Sequence, residues 1–122
     1  MSGERLVVDT SALIHLLDGT KAIVELLDGV ECHVSFITEI ELLSSKRGLA
    51  EQLKRKKALL NDLTIIDVNQ RIKEIAIELR KRHGLKVPDC LIAATAIHLD
   101  LPLVTTDKHF DRVKDEVALY RL

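Results

Sequence analysis

Apolar positions recur along the chain in two alternating rhythms, one of strands and one of helices. The β-branched run Leu6-Val7-Val8 ends on a carboxylate, Asp9, and two hydroxyls, Thr10 and Ser11, follow before an apolar helix begins. That helix is expected from Ser11 to Leu17, capped by Ser11 or Thr10 and stopped at Gly19. Lys21 to Leu27 reads as a second helix ahead of Gly29, and Glu31 to Ser35 alternates as a short strand. Phe36, Ile37, Ile40 and Leu43 then recur at helical spacing behind Ser35, a natural cap.

Lys46-Arg47-Gly48 breaks the pattern, and Leu49 to Leu60 resumes it as an amphipathic helix exposing Lys54, Arg55, Lys56 and Lys57, so the pair reads as a helical hairpin. Thr64 to Val68 is β-branched. Asn69 caps a long helix whose stripe is Ile72, Ile75, Ala76 and Leu79, and Gly84 ends it. Pro88 suits a first helical position. The run Leu91 to Ile97 is apolar nearly all round, as a helix in the middle of a domain must be. Leu101 to Thr105 is expected as a strand, Asp107 to Val113 as a short helix and Val117 to Tyr120 as a terminal strand. Strands alternating with helices imply an α/β fold, with a parallel sheet covered on both faces.

Composition narrows this picture. With 122 residues, the chain is expected to form one domain over residues 1–122. Hydrophobic residues make up 47% but aromatic ones only 2%, so Leu, Ile, Val and Ala fill the interior. A net charge of -1 removes any argument from overall basicity for a nucleic-acid partner. No run approaches the roughly 20 apolar residues of a membrane span and no signal-peptide pattern opens the chain, so a cytoplasmic protein without membrane contact is expected. Cys32 and Cys90 lack the spacing of zinc or redox motifs and read as buried small hydrophobes. His15, His33, His83, His98 and His109 form no metal-binding pair and read as surface or satisfied histidines.

Three carboxylates stand where a strand ends or a helix starts: Asp9, Asp89 beside Pro88, and Asp107 after Leu103-Val104-Thr105. In a parallel sheet such junctions lie along one edge, so residues far apart in sequence meet in one cleft. A fourth acid lies in the helix after the second strand, where Glu39 and Glu41 flank the apolar stripe equally and periodicity does not separate them. Each acid also has a plain structural account: Asp89 and Asp107 would favour a helix dipole, Thr38 to Glu41 matches a capping box, and Asp9 would satisfy turn amides. The joint pattern goes further. Two carboxylates 4 Å apart repel by about 4 kcal/mol at an effective dielectric near 20, so a cluster needs protons or a cation. Mg2+ or Mn2+ meets that need with oxygen ligands, and such an ion can bind a phosphodiester oxygen and activate water. Thr10, Ser11 and Thr105 are placed to orient acids or waters.

Val7 to Ser11, Ser35 to Thr38 with Glu41-Leu42, Pro88 to Ala96, and Leu103 to Asp107 with Phe110 resemble, in order and spacing, the four motif blocks of PIN-domain ribonucleases. The resemblance spans nearly the whole chain and is closest to the VapC toxins of type II toxin-antitoxin systems. It implies a three-layer α/β/α fold with a central five-stranded parallel sheet, a Mg2+- or Mn2+-dependent endoribonuclease, a homodimer, and a VapB-type antitoxin partner. It also implies that Asp9, Glu41, Asp89 and Asp107 are the catalytic and metal-binding acids. Glu41 is chosen over Glu39 by this analogy, because it precedes Leu42, and Asp111 is the alternative to Asp107.

Basic residues fall in two clusters, Lys46, Arg47 and Lys54 to Lys57, and Arg71, Lys73, Arg80 to Arg82 and Lys86. Arg47, Lys54, Arg80, Arg82 and Lys86 are the candidate RNA contacts. Scarce aromatics argue against base stacking as the main grip. A receiver-like signalling module fits less well: Thr10 and Ser11 follow Asp9 where a second acid belongs, and only Asp67 lies near the third strand. Ser11 likewise disfavours a D-x-D phosphatase, and four intact acids disfavour a metal-free binding module. A PIN nuclease for RNA processing outside a toxin system is the remaining alternative.

Overall fold

The computed structural model describes residues 4–46 and 50–122. Five strands, β1 (Arg5–Val8), β2 (Glu31–Ser35), β3 (Thr64–Ile66), β4 (Leu103–Thr105) and β5 (Leu119–Arg121), form one sheet in the order β3-β2-β1-β4-β5. Every pairing is parallel. Six helices accompany them: α1 (Thr10–Leu17), α2 (Lys21–Leu27), α3 (Phe36–Ser44), α4 (Ala50–Asn61), α5 (Gln70–His83) and α6 (Val87–Leu99).

The layers follow from side-chain alternation in the strands. On β1, Leu6 and Val8 face a core shared with Ala12, Leu13, Ile23, Leu27, Leu42 and Leu60 of α1 to α4. Val7 points the other way, into a core with Ile72, Leu79, Ile92, Ala93 and Phe110. Helix α6 lies in the middle of that second layer: Ile92 to Ala96 are all buried, which accounts for its lack of a polar face. Cys32 and Cys90 are buried free thiols, packed as small apolar side chains.

Chain order moves outward from β1 to β2 and β3, then returns to β4 on the other side of β1. The sheet therefore has its topological switch point between β1 and β4, where open parallel sheets leave a crevice beyond the carboxyl ends of the strands. The Asp9 amide donates to the Val104 carbonyl at 3.0 Å, so Asp9 stands at the mouth of that crevice.

Several element ends differ from the sequence expectations for identifiable reasons. Helix α1 is capped by Asp9, whose Oδ1 accepts from the Ala12 amide at 2.8 Å, and not by Ser11 or Thr10. β3 stops at Ile66, before Val68. β4 begins at Leu103 because Pro102 has no amide proton to give the ladder. Val117 is held in a turn by its bond to the Val113 carbonyl, which delays β5 to Leu119. Lys108–Val113 is a 3-10 helix, a form whose three-residue turn brings Phe110 and Val113 onto one buried face. The caps at Ser35 and Asn69 and the stop at Gly84, which takes a left-handed φ of +66°, stand where the sequence puts them. The expected break at Lys46-Arg47-Gly48 lies largely outside the described residues.

Candidate active site

Asp9 is buried, with 2% of its surface exposed, and its carboxylate is held by one backbone amide and two hydroxyls. Oδ1 accepts from the Ala12 amide and from Ser11 Oγ, each at 2.8 Å. Oδ2 accepts from Thr105 Oγ1 and lies 3.0 Å from Ser11 Oγ. Ser11 and Thr105 are themselves held from behind. The Thr106 amide donates to Ser11 Oγ at 3.1 Å, and the Asp107 amide donates to Thr105 Oγ1 at 2.9 Å. Two hydroxyl relays thus tie the end of β4 to the end of β1, across 95 and 96 residues of sequence.

Thr10 works elsewhere. Its Oγ1 lies 2.6 Å from Glu41 Oε1 and 3.1 Å from Thr38 Oγ1, so the hydroxyl at the start of α1 orients Glu41 on α3 rather than Asp9. Asp89 projects from the first turn of α6, and Asp107 caps the 3-10 helix by accepting from the His109 amide at 2.9 Å. The plain structural accounts of Asp9 and Asp107 as caps therefore hold, and both residues also face the crevice.

Electrostatics link the four acids. Burial pushes the Asp9 carboxyl above its ordinary range; hydrogen bonds from Thr105, Ala12 and Ser11 oppose this, and the charge of Asp107 adds to it. The Asp89 carboxyl is also raised, first by burial and then by the charges of Asp107 and Glu41, against the milder pull of His109 and Lys86. Glu41, not Glu39, is the α3 acid whose charge reaches Asp89. Asp111 is turned away, pairing with Arg121 at 2.8 Å. Among the described residues, no lysine or arginine forms an ion pair with Asp9, Glu41, Asp89 or Asp107; His109 pairs with Asp107, and the charge of Lys86 acts on Asp89 from outside ion-pair distance. Among the described residues, the ligand atoms that lie within 4.8 Å of one another, a spacing that suits a divalent ion, are those of Asp89, Asp107 and His109; Asp9 and Glu41 fall outside that group.

His109 is the residue that the sequence reading passed over. Its Nδ1 sits 2.9 Å from Asp107 Oδ1. The signal was present as Asp107-x-His109: an aspartate capping a turn binds the amide two residues on and brings that residue's side chain alongside.

The candidate phosphate contacts divide. Lys54 is exposed on α4, and Lys86 stands at the start of α6 close enough for its charge to act on Asp89. Arg80 donates to the Leu85 carbonyl at 2.6 Å and Arg82 pairs with Glu116 at 2.7 Å, so both have structural partners. Arg47 lies outside the described residues.

No helix among the described residues is long and apolar enough to cross a membrane. No curated protein matches the chain. A PIN domain family model matches residues 6–116. Among solved structures, the chain is similar to one from a toxin-antitoxin complex of Klebsiella pneumoniae, at 30% identity and a TM-score of 0.80, with 96% of this chain and 99% of that chain covered. It is similar also to a chain of VapBC2 from Rickettsia felis bound to a DNA fragment from their promoter, at 26% identity and a TM-score of 0.82, covering 97% and 98%. A chain of VapBC-1 from nontypeable Haemophilus influenzae shares the fold at 24% identity and a TM-score of 0.79, covering 96% and 97%. With the model matching from β1 to the turn before β5, and the parallel five-stranded sheet it entails, the chain belongs to the PIN domain family.

Proposed function

We propose that this chain is a divalent-metal-dependent endoribonuclease, the toxin of a VapBC-type toxin-antitoxin pair. Family membership carries the nuclease part of the reading. Metal dependence rests on one observation above the others: four carboxylates from β1, α3, α6 and the β4 end share one electrostatic field with no lysine or arginine paired to any of them among the described residues. Such a set is stable at neutral pH when a cation lies among its charges.

In this reading Asp9 and Asp89 are the central ligands for Mg2+ or Mn2+, and Glu41 and Asp107 complete the set or position water. A divalent ion bound there supplies Lewis-acid stabilisation of the phosphodiester and a water of lowered pKa. The chain's own residues do the rest. Ser11 and Thr105 fix Asp9 by donating to it and oppose the rise that burial gives its pKa, Thr10 aims the Glu41 carboxylate, and Lys86 offers a cation for a backbone phosphate at the edge of the crevice. Hydrolysis by water leaves a 5′ phosphate and a 3′ hydroxyl on the cut RNA.

Similarity to chains from toxin-antitoxin complexes supports an antitoxin partner for this one; the homodimer is what the family resemblance implies. A small open reading frame beside the gene, encoding a DNA-binding fold, is the expected companion. The direct test incubates purified protein with structured RNA and Mg2+, beside Asp9→Asn and an EDTA control. Cleavage is expected only for the wild type with metal, with 5′ phosphate ends. Equal cleavage by the variant, or cyclic phosphate ends, would refute the mechanism.

A further inference from the structure

One imidazole stands beside the acids of the crevice. Four of the five histidines are engaged away from the crevice: His15 with Thr20, His33 with Arg5, His83 with Glu116 and His98 with Asn69. His109 is the exception. Its backbone is fixed where the 3-10 helix begins, because its amide donates to Asp107 and the next residue, Phe110, is buried in the core. Its ring remains outside that core, 64% exposed, and lies against the acids.

From this placement we infer that His109 supplies a nitrogen ligand to the same ion held by Asp89 and Asp107, which makes the site select Mn2+ over Mg2+. The inference rests on the metal-dependent reading above and adds a donor and an ion preference to it. The Nδ1 to Oδ1 separation of 2.9 Å is close to the roughly 3.0 Å between adjacent donors of an octahedral ion with bonds of about 2.1 Å. Mg2+ is held by oxygen donors, whereas first-row transition ions also take imidazole nitrogen, and Mn2+ is the one of them that carboxylates suit as well. The ring needs no large movement to serve, since the three donor atoms already lie within 4.8 Å of one another. Its exposure also means that replacing it leaves the buried fold intact.

Wild type, His109→Ala and His109→Gln are freed of metal with a chelator, checked for equal thermal melting, and titrated calorimetrically with Mn2+ and with Mg2+. Pulsed electron paramagnetic resonance on the Mn2+ samples reads nitrogen coordination directly. Wild type should bind Mn2+ at least about tenfold tighter than Mg2+ and show 14N modulation. Both variants should lose the modulation and weaken for Mn2+ by about tenfold or more, the loss that even an outer partner of a metal ligand causes, while Mg2+ affinity holds. Mn2+ bound without 14N modulation, or an unchanged Mn2+ to Mg2+ ratio in the variants, overturns the inference and leaves His109 as an ion-pair partner of Asp107. Wild type that binds neither ion overturns the metal-dependent reading together with it.

Discussion

Thr105 shows how much of the site depends on single hydroxyls. It donates to Asp9 and accepts from the Asp107 amide, so one oxygen sets the distance between two acids on neighbouring strands. Replacing it by the similarly shaped valine strands a buried carboxylate oxygen and an amide. Thr105→Val should therefore cost about 1–3 kcal/mol in urea denaturation, and Thr105→Ser much less. Ser11 and Thr10 divide the same task, one on Asp9 and the other on Glu41. The types of these residues were legible as hydroxyls beside an acid. Which acid each one serves was not, because Thr10 and Glu41 are 31 residues apart and meet only when α1 packs on α3.

Elements deliver the acids, and α6 does so under the tightest constraint. Asp89 lies in its first turn while Ile92 to Ala96 are enclosed between α5 and the sheet, so packing along the helix sets where the carboxylate stands. Small residues make that approach possible: Ala93, Ala94 and Ala96 are each fully buried. Ala94→Leu should lower stability by about 1–3 kcal/mol through overpacking, and should reduce RNA cleavage because Asp89 moves with the helix; urea denaturation and a cleavage assay read the two effects separately. An all-round apolar helix at this point was expected from the sequence, since no polar face interrupts Leu91 to Ile97. The 3-10 form of Lys108–Val113 was not, because a six-residue segment carries too few turns to separate periods of 3.0 and 3.6.

For the whole molecule the acid crevice is a source of instability when no metal is bound. Asp89 titrates above its ordinary value of 3.8 in the folded chain, mainly through burial and then through Asp107 and Glu41. A raised acid pKa means that the folded state holds the proton more tightly than the unfolded state does. Stability of the metal-free protein from this group is therefore highest below about pH 3.8 and falls as pH rises through the folded pKa. Asp89→Asn should remove that fall. Comparing melting temperatures of wild type and variant in a chelator from pH 4 to 7, the variant should gain stability relative to wild type as pH rises. A constant difference across the range would show that the Asp89 charge is not destabilising.

The order of strands and helices, the two-faced parallel sheet and the candidate acids follow from the sequence alone, because they depend on local rhythm and on which residues end each apolar run. Asp9, Asp89 and Asp107 all stand at such ends. Tertiary structure decided placements that rhythm cannot: Glu41 rather than Glu39 acting on Asp89, Asp111 paired with Arg121, and His109 beside Asp107. Those choices turn on which side chains face one another across β1, β4, α3 and α6, and a charge acts through distance in space rather than separation along the chain.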